Sequence, residues 1–145
     1  MKYLPALTLG LAFILCGCTS VEVRPIPTSN RITSVVIVKN EKVAIDDFLD
    51  VLVDGFQRHG IAVKTAAAAP DSKDAYVVTY VAYRKWDLAP YMVDATINIE
   101  KDGLRVGHAQ YHLNGGGGFS MLKWEGTKTK LDPVIDELLK DYAIR

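Results

Sequence analysis

Apolar residues along this chain fall into three kinds of pattern, and each predicts a different element. Leu4 to Leu15 is an unbroken apolar run that stops at Cys16-Gly17-Cys18. Ile32 to Lys39, with TSVVIV at its heart, is a continuous β-branched run of the kind found in a strand covered by neighbours. Ile45, Phe48, Leu49, Leu52 and Phe56 then recur at helical spacing and draw one apolar stripe from about Glu41 to His59, where Gly60 offers a left-handed stop. Ile61 to Lys64 is short and β-branched. Strand, helix and strand in this order predict a βαβ unit with parallel strands.

Further along, Ala75 to Arg84 is β-rich, and Tyr91 to Glu100 alternates with period two. Tyr91, Val93, Ala95, Ile97 and Ile99 should face inward, and Asp94, Thr96, Asn98 and Glu100 outward. Asp102-Gly103 is a strong hairpin signal; as a two-residue loop it sets Glu100 opposite Arg105 and Ile99 opposite Val106. The last stripe runs through Leu131, Val134, Ile135, Leu138, Leu139 and Tyr142, so a helix is expected over 132–142, capped by Asp132 with Pro133 in its first turn. Together these elements predict an α/β (α+β) domain over 31–145. It would be a two-layer sandwich whose mixed sheet has about five strands and whose helices lie on one face.

The first apolar run carries the address. Lys2, the apolar stretch and small Gly17 before Cys18 form a lipobox, so residues 1–17 read as a lipoprotein signal peptide cut after Gly17, with lipid joined to Cys18. The run is too short to cross a bilayer, which takes about 20 apolar residues. At about 0.8 kcal/mol per buried methylene, several acyl chains make anchoring effectively permanent. Thr19, where inner-membrane retention signals carry Asp, favours the outer membrane with the domain facing the periplasm. Residues 18–30, with Pro25 and Pro27 among polar neighbours, read as an extended linker reaching up to roughly 40 Å.

Charge and cysteine count narrow the remaining classes. Residues 1–17 hold one of the 17 Lys and Arg and none of the 17 Asp and Glu, so the mature chain stays nearly neutral and lacks the basic stripe of a nucleic-acid binder. Its one remaining cysteine is Cys18, which leaves neither a disulfide nor a free thiol nucleophile. His108 and His112 would share a metal on a helix, but on a strand they stand about 13 Å apart, so no metal is expected. Asp46, Asp47, Asp50 and Asp54 read as a solvated helix face, partly balanced by Arg58. His59 reads as a partner of the helix dipole. Gly115 to Gly118 lacks the Lys-Ser/Thr of a nucleotide loop, and Ser120 lacks a hydrolase elbow; no catalytic residue and no cofactor set emerges.

The aromatics are the most suggestive set. Tyr76, Tyr80, Tyr83, Trp86, Tyr91, Tyr111 and Trp124 read mainly as core and sheet packing, although Tyr76, Tyr80 and Trp86 share strand parity and could form an exposed row. Trp86 to Pro90 reads as a surface loop, and Trp86, Tyr91 and Phe119 are the candidate contacts with a partner. The lipobox, the βαβ unit, the hairpin and the tail Lys123-Trp124-x-Gly126-Thr127-x-x-Lys130-x-x-Pro133-x-Ile135-x-x-Leu138-Leu139 resemble small proteobacterial lipoproteins of uncharacterised role. That resemblance implies an envelope location and no activity; at fold level the element order is similar to periplasmic assembly and activator lipoproteins. The expectation is a non-enzymatic accessory that binds another envelope protein. A glycan or small-ligand binder is the alternative, and an envelope hydrolase using the helix carboxylates is a third.

Overall fold

Six strands form one mixed sheet in the order β1-β6-β5-β4-β2-β3. They are β1 (Thr19–Arg24), β2 (Ser34–Val38), β3 (Ala62–Ala66), β4 (Tyr76–Asp87), β5 (Ala89–Lys101) and β6 (Leu104–Leu113), with helices α1 (Phe48–Arg58) and α2 (Thr127–Leu138). The computed structural model describes residues 19–142, so the expectations for the signal peptide, Gly17 and Cys18 lie outside the described residues.

The βαβ unit forms as its pattern predicts, with β2 parallel to β3 from Ser34↔Ala62 to Val38↔Ala66. Tyr91, Val93, Ala95, Ile97 and Ile99 on β5 are buried, joined by Val78 and Tyr80 of β4 and by Ala109 and Tyr111 of β6. Against that face lie Phe48, Leu52 and Phe56 of α1 and Leu131, Ile135 and Leu138 of α2, all fully enclosed. Each such side chain contributes about 1.5–3 kcal/mol by leaving water. Residues of the opposite face, Asp94, Thr96, Asn98 and Glu100 among them, are never fully buried, so both helices cover one side and the other is open.

Several boundaries differ from the sequence expectations. The sheet has six strands because residues 19–30 are not a linker. Thr19 to Arg24 pair antiparallel with β6, from Thr19↔Leu113 to Arg24↔His108. Ile26 is completely buried and donates its N–H to the Leu138 carbonyl at 3.0 Å, and Gly107 is where Ile26 packs, since a Cβ there would lie 2.6 Å from Ile26 Cγ1. The Tyr142 hydroxyl then holds the Pro27 carbonyl at 3.2 Å, and the Tyr76 hydroxyl donates to the Asn30 carbonyl.

Helix α1 begins at Phe48 rather than near Glu41, since Asn40 is drawn off the helical path by Tyr80: its amide donates to the Tyr80 carbonyl at 2.9 Å. Helix α2 begins at Thr127, five residues before the expected cap at Asp132, and Pro133 sits inside it. Its first turn is fixed by tertiary partners, with Thr127 Oγ1 on Asp47 at 2.6 Å and Lys130 Nζ on the carbonyls of Met92 and Lys123 at 3.2 and 2.5 Å. Asp132 instead meets Arg58 at 3.0 Å, beside the expected Arg58–Asp54 pair at 3.3 Å.

The hairpin turn has its two-residue loop, with Lys101 facing Leu104 and both Asp102 and Gly103 at positive φ, as a type I′ turn demands. Glu100 faces Arg105 as expected. Ile99, however, faces Gly107, because Val106 is an extra residue in a bulge.

Candidate functional site: the apolar end of the sheet

Large apolar side chains reach water mostly at one end of the molecule. The β4–β5 hairpin turns there at Leu88, which adopts φ 60°, and presents Trp86 (74% exposed) and Leu88 (80%). Beside it runs the segment from the 3-10 turn at Asn114–Gly117 to the one at Met121–Trp124, which exposes Phe119 (107%), Met121 and Leu122. These two loops are fastened together. The nearly buried Lys123 ammonium pairs with the Asp87 carboxylate and also donates to the Gly118 carbonyl at 3.1 Å, while the Trp124 indole donates to the Asp87 carbonyl at 2.9 Å. The same ammonium lies 4.4 Å from the Trp124 ring centroid and 5.6 Å from that of Tyr91. Gly117, at φ 80°, lets this happen: a Cβ there would stand 2.7 Å from Lys123 Cβ.

Trp86 and Phe119 are therefore presented to the surroundings, but Tyr91 is not. It is 9% exposed, and a bulge between Tyr83 and Arg84 leaves Tyr91, Met92 and Val93 all buried in succession. The proposed aromatic row is also broken, because β4 is exposed throughout from Tyr83 to Asp87. Tyr76 and Tyr80 point into the core, Tyr80 stacking on Phe48 at 5.1 Å, whereas Trp86, beyond the irregularity, faces out. The Trp86–Pro90 stretch, expected as a loop, is the strand-paired tip of this hairpin. Met121 and Leu122 were missed as candidates because a short apolar pair has no period to mark it.

Elsewhere the polar residues have structural partners. His108 Nδ1 lies 2.8 Å from the Asn98 carboxamide oxygen and His112 Nδ1 2.8 Å from Asp94, on separate pairs of the open sheet face. Desolvation, followed by the nearby Arg105 charge, pushes the His108 pKa down. His59 follows the end of α1, but it does more than meet a dipole: its buried ring bridges the Tyr142 carbonyl at 2.8 Å and Asp136 at 2.9 Å. Asp54 is held below the ordinary carboxylate range, first by the Lys128 hydrogen bond. Burial lowers the Lys130 pKa, yet its two carbonyl partners mark it as a structural tie.

A cleft of ≈ 290 Å³ beside the apolar end is lined by Asp46, Asp47, Arg84, Met92, Trp124 and Glu125 among others. It could seat a small polar molecule, but Asp47 there is already engaged by Thr127. Among the described residues no cluster of three or more His, Cys, Asp or Glu could hold a metal ion, and no helix is long and apolar enough to cross a membrane.

No family model matches the chain, and no curated protein matches it. Among solved structures it is similar to PelC from Paraburkholderia phytofirmans in two crystal forms of a dodecamer. A point variant in space group C2 aligns with TM-score 0.57 at 17% identity over 88% of this chain and 99% of that one. A second PelC dodecamer, in space group P6, aligns with TM-score 0.54 at 17% identity over 82% and 95% of the two chains. At this identity the likeness establishes a shared fold, in keeping with the expected similarity to periplasmic lipoproteins at fold level.

Proposed function

We propose that this chain is a lipid-anchored, non-enzymatic accessory protein of a bacterial outer membrane, one of the small proteobacterial lipoproteins. After cleavage behind Gly17 it is acylated at Cys18, faces the periplasm, and acts by binding protein, copies of itself first. The observation that carries this reading is the uncovered sheet. Its free face presents Glu22, Arg24, Asp94, His108, Gln110 and His112, and among the described residues both outer strands, β1 and β3, have one edge without a neighbouring strand. Such edges are templates for strand pairing unless something covers them. Pairing of the β1 edge of one copy with the β3 edge of the next would be a head-to-tail contact, the arrangement that closes into rings. The fold shared with dodecameric PelC supports the same choice.

The test is residue-specific photocrosslinking in intact cells from Ser20, Val81 and Gln110, joined to native mass spectrometry of the detergent-extracted lipoprotein. A ladder of homo-oligomers, or one reproducible envelope partner, is the expected result. Monomers alone, with a melting temperature raised by peptidoglycan fragments or other glycans, would replace this reading with that of a glycan binder.

A further inference from the structure

We infer that the apolar end formed by Trp86, Leu88, Phe119, Met121 and Leu122 docks into the surface of the bilayer that holds the anchor. This rests on acylation of Cys18 and adds what the anchored domain touches. The argument begins with the strand register. Ser20 faces His112, and His112 faces Asp94, so the row that opens β1 continues across β6 into β5. Past that row β5 runs back to Ala89, β6 runs into the glycine turn, and β1 runs toward Cys18. All three lead to the same end of the sheet. The chain outside the described residues thus leaves beside the exposed apolar cluster, not opposite it.

Distance makes the contact hard to avoid. Because residues 19–30 are folded into the domain, no leash separates Cys18 from the sheet. The hairpin turn at Leu88 lies six residues beyond Asp94, about 20 Å along the strand, and two to three strand spacings from β1, about 10 to 14 Å across. A line from the anchor to the tip therefore crosses the strands obliquely. When the domain leans over by roughly half a right angle, both points reach one plane.

The chemistry suits that plane. Indole and phenyl rings settle at the boundary between headgroups and acyl chains, and Arg84 and Lys85, both exposed just before Trp86, would lie at the level of lipid phosphates. Lys123, Asp87 and Trp124 hold the cluster in place beforehand, so little ordering is left to the moment of contact. Five large apolar side chains exposed on two loops that are tied together are more than scattered surface residues would supply.

The experiment uses the full acylated chain in vesicles of phosphatidylethanolamine and phosphatidylglycerol with brominated acyl chains, which quench nearby tryptophan. In Trp124→Phe, the remaining Trp86 should lose more than half of its emission relative to plain vesicles. A reporter at the far end, Leu104→Trp in a chain with Trp86→Phe and Trp124→Phe, should lose almost none. Trp124 helps tie the tip, so Trp86→Phe alone is measured as well, and the quenching of the unaltered chain should fall with it. If the protein stays on the vesicles while Trp86 remains bright, or both ends quench alike, the docking is overturned and the anchor stands. Crosslinks in cells from Phe119 to a protein instead of lipid would overturn it in the same way. Intact mass showing a bare Cys18 would overturn the anchored reading itself, and the docking with it.

Discussion

The two ends of the sheet are built from the same device, a tight antiparallel hairpin, and differ in almost everything that surrounds it. At the β5–β6 turn, Leu104 is an isolated exposed apolar residue among Glu100, Lys101, Asp102 and Arg105. At the β4–β5 tip, five exposed apolar side chains gather around a knot made by Lys123, Asp87 and Trp124. A lone exposed leucine is ordinary, whereas a rigidly presented cluster is a commitment of structure to contact. The lesson is one of orientation. β1 runs toward Cys18 at the apolar end, so the anchor proposed there and the cluster would act in the same direction. If the proposed anchor at Cys18 holds, a cyclic assembly would turn every copy the same way, whereas a dihedral one would point half of the anchors away from the membrane.

The strongest way to break this contrast is to free β1 from the domain. Ile26→Ala removes a fully enclosed side chain wedged over Gly107, so it should cost about 2–5 kcal/mol in urea unfolding, with amide protection lost first along β1. The start of β1 and the apolar end would then no longer move as one body. If β1 keeps its protection while global stability falls, the joint lies elsewhere.

A smaller effect is expected from cutting the knot. In Lys123→Met the Asp87 carboxylate and the Gly118 carbonyl lose their partner, at about 1–3 kcal/mol. Hydrogen exchange should rise over 86–90 and 118–124 while the turn at 101–104 stays as it was. Equal loosening at both hairpins would mean that Lys123 supports the whole core and not one end.

At the quiet end, Leu104→Ser should shift stability by no more than about 0.5 kcal/mol and leave vesicle contact unchanged. The helix seam, remote from both hairpins, gives the least. Asp54 has a lowered pKa in the folded chain, so its contribution is present above the ordinary carboxylate range and is lost as pH falls through the folded-state value. Half-exposed and open to screening, it should produce a slight fall in melting temperature in acid, absent in Asp54→Asn and erased by salt.

Much of this comparison was legible beforehand, but unevenly. Trp86 and Phe119 could be named as contacts because their composition leans to the surface, yet Tyr91 could not be separated from them until the bulge at Tyr83/Arg84 was seen. Neither could Met121 and Leu122 be found by period. The largest change concerns Thr19 to Arg24. With two following prolines it reads as linker; its short alternation of Val21 and Val23 with Glu22 and Arg24 is too brief to stand alone and becomes a strand against the edge of β6 some ninety residues away. Likewise, the start of α2 followed tertiary hydrogen bonds to Asp47, Met92 and Lys123 in place of the local cap at Asp132.

By itself, then, the order of residues determined what depends on near neighbours. That includes the strand–helix–strand opening, the inward set on β5, the Asp102-Gly103 turn and the lipobox pattern at Cys18, since periodicity and turn chemistry act within a few residues. Only the tertiary structure decided which strand closes the sheet, where two bulges re-aim side chains, and that the start of β1 and the apolar cluster share one end. Those outcomes depend on edges and carbonyls supplied by distant segments, which no local pattern contains.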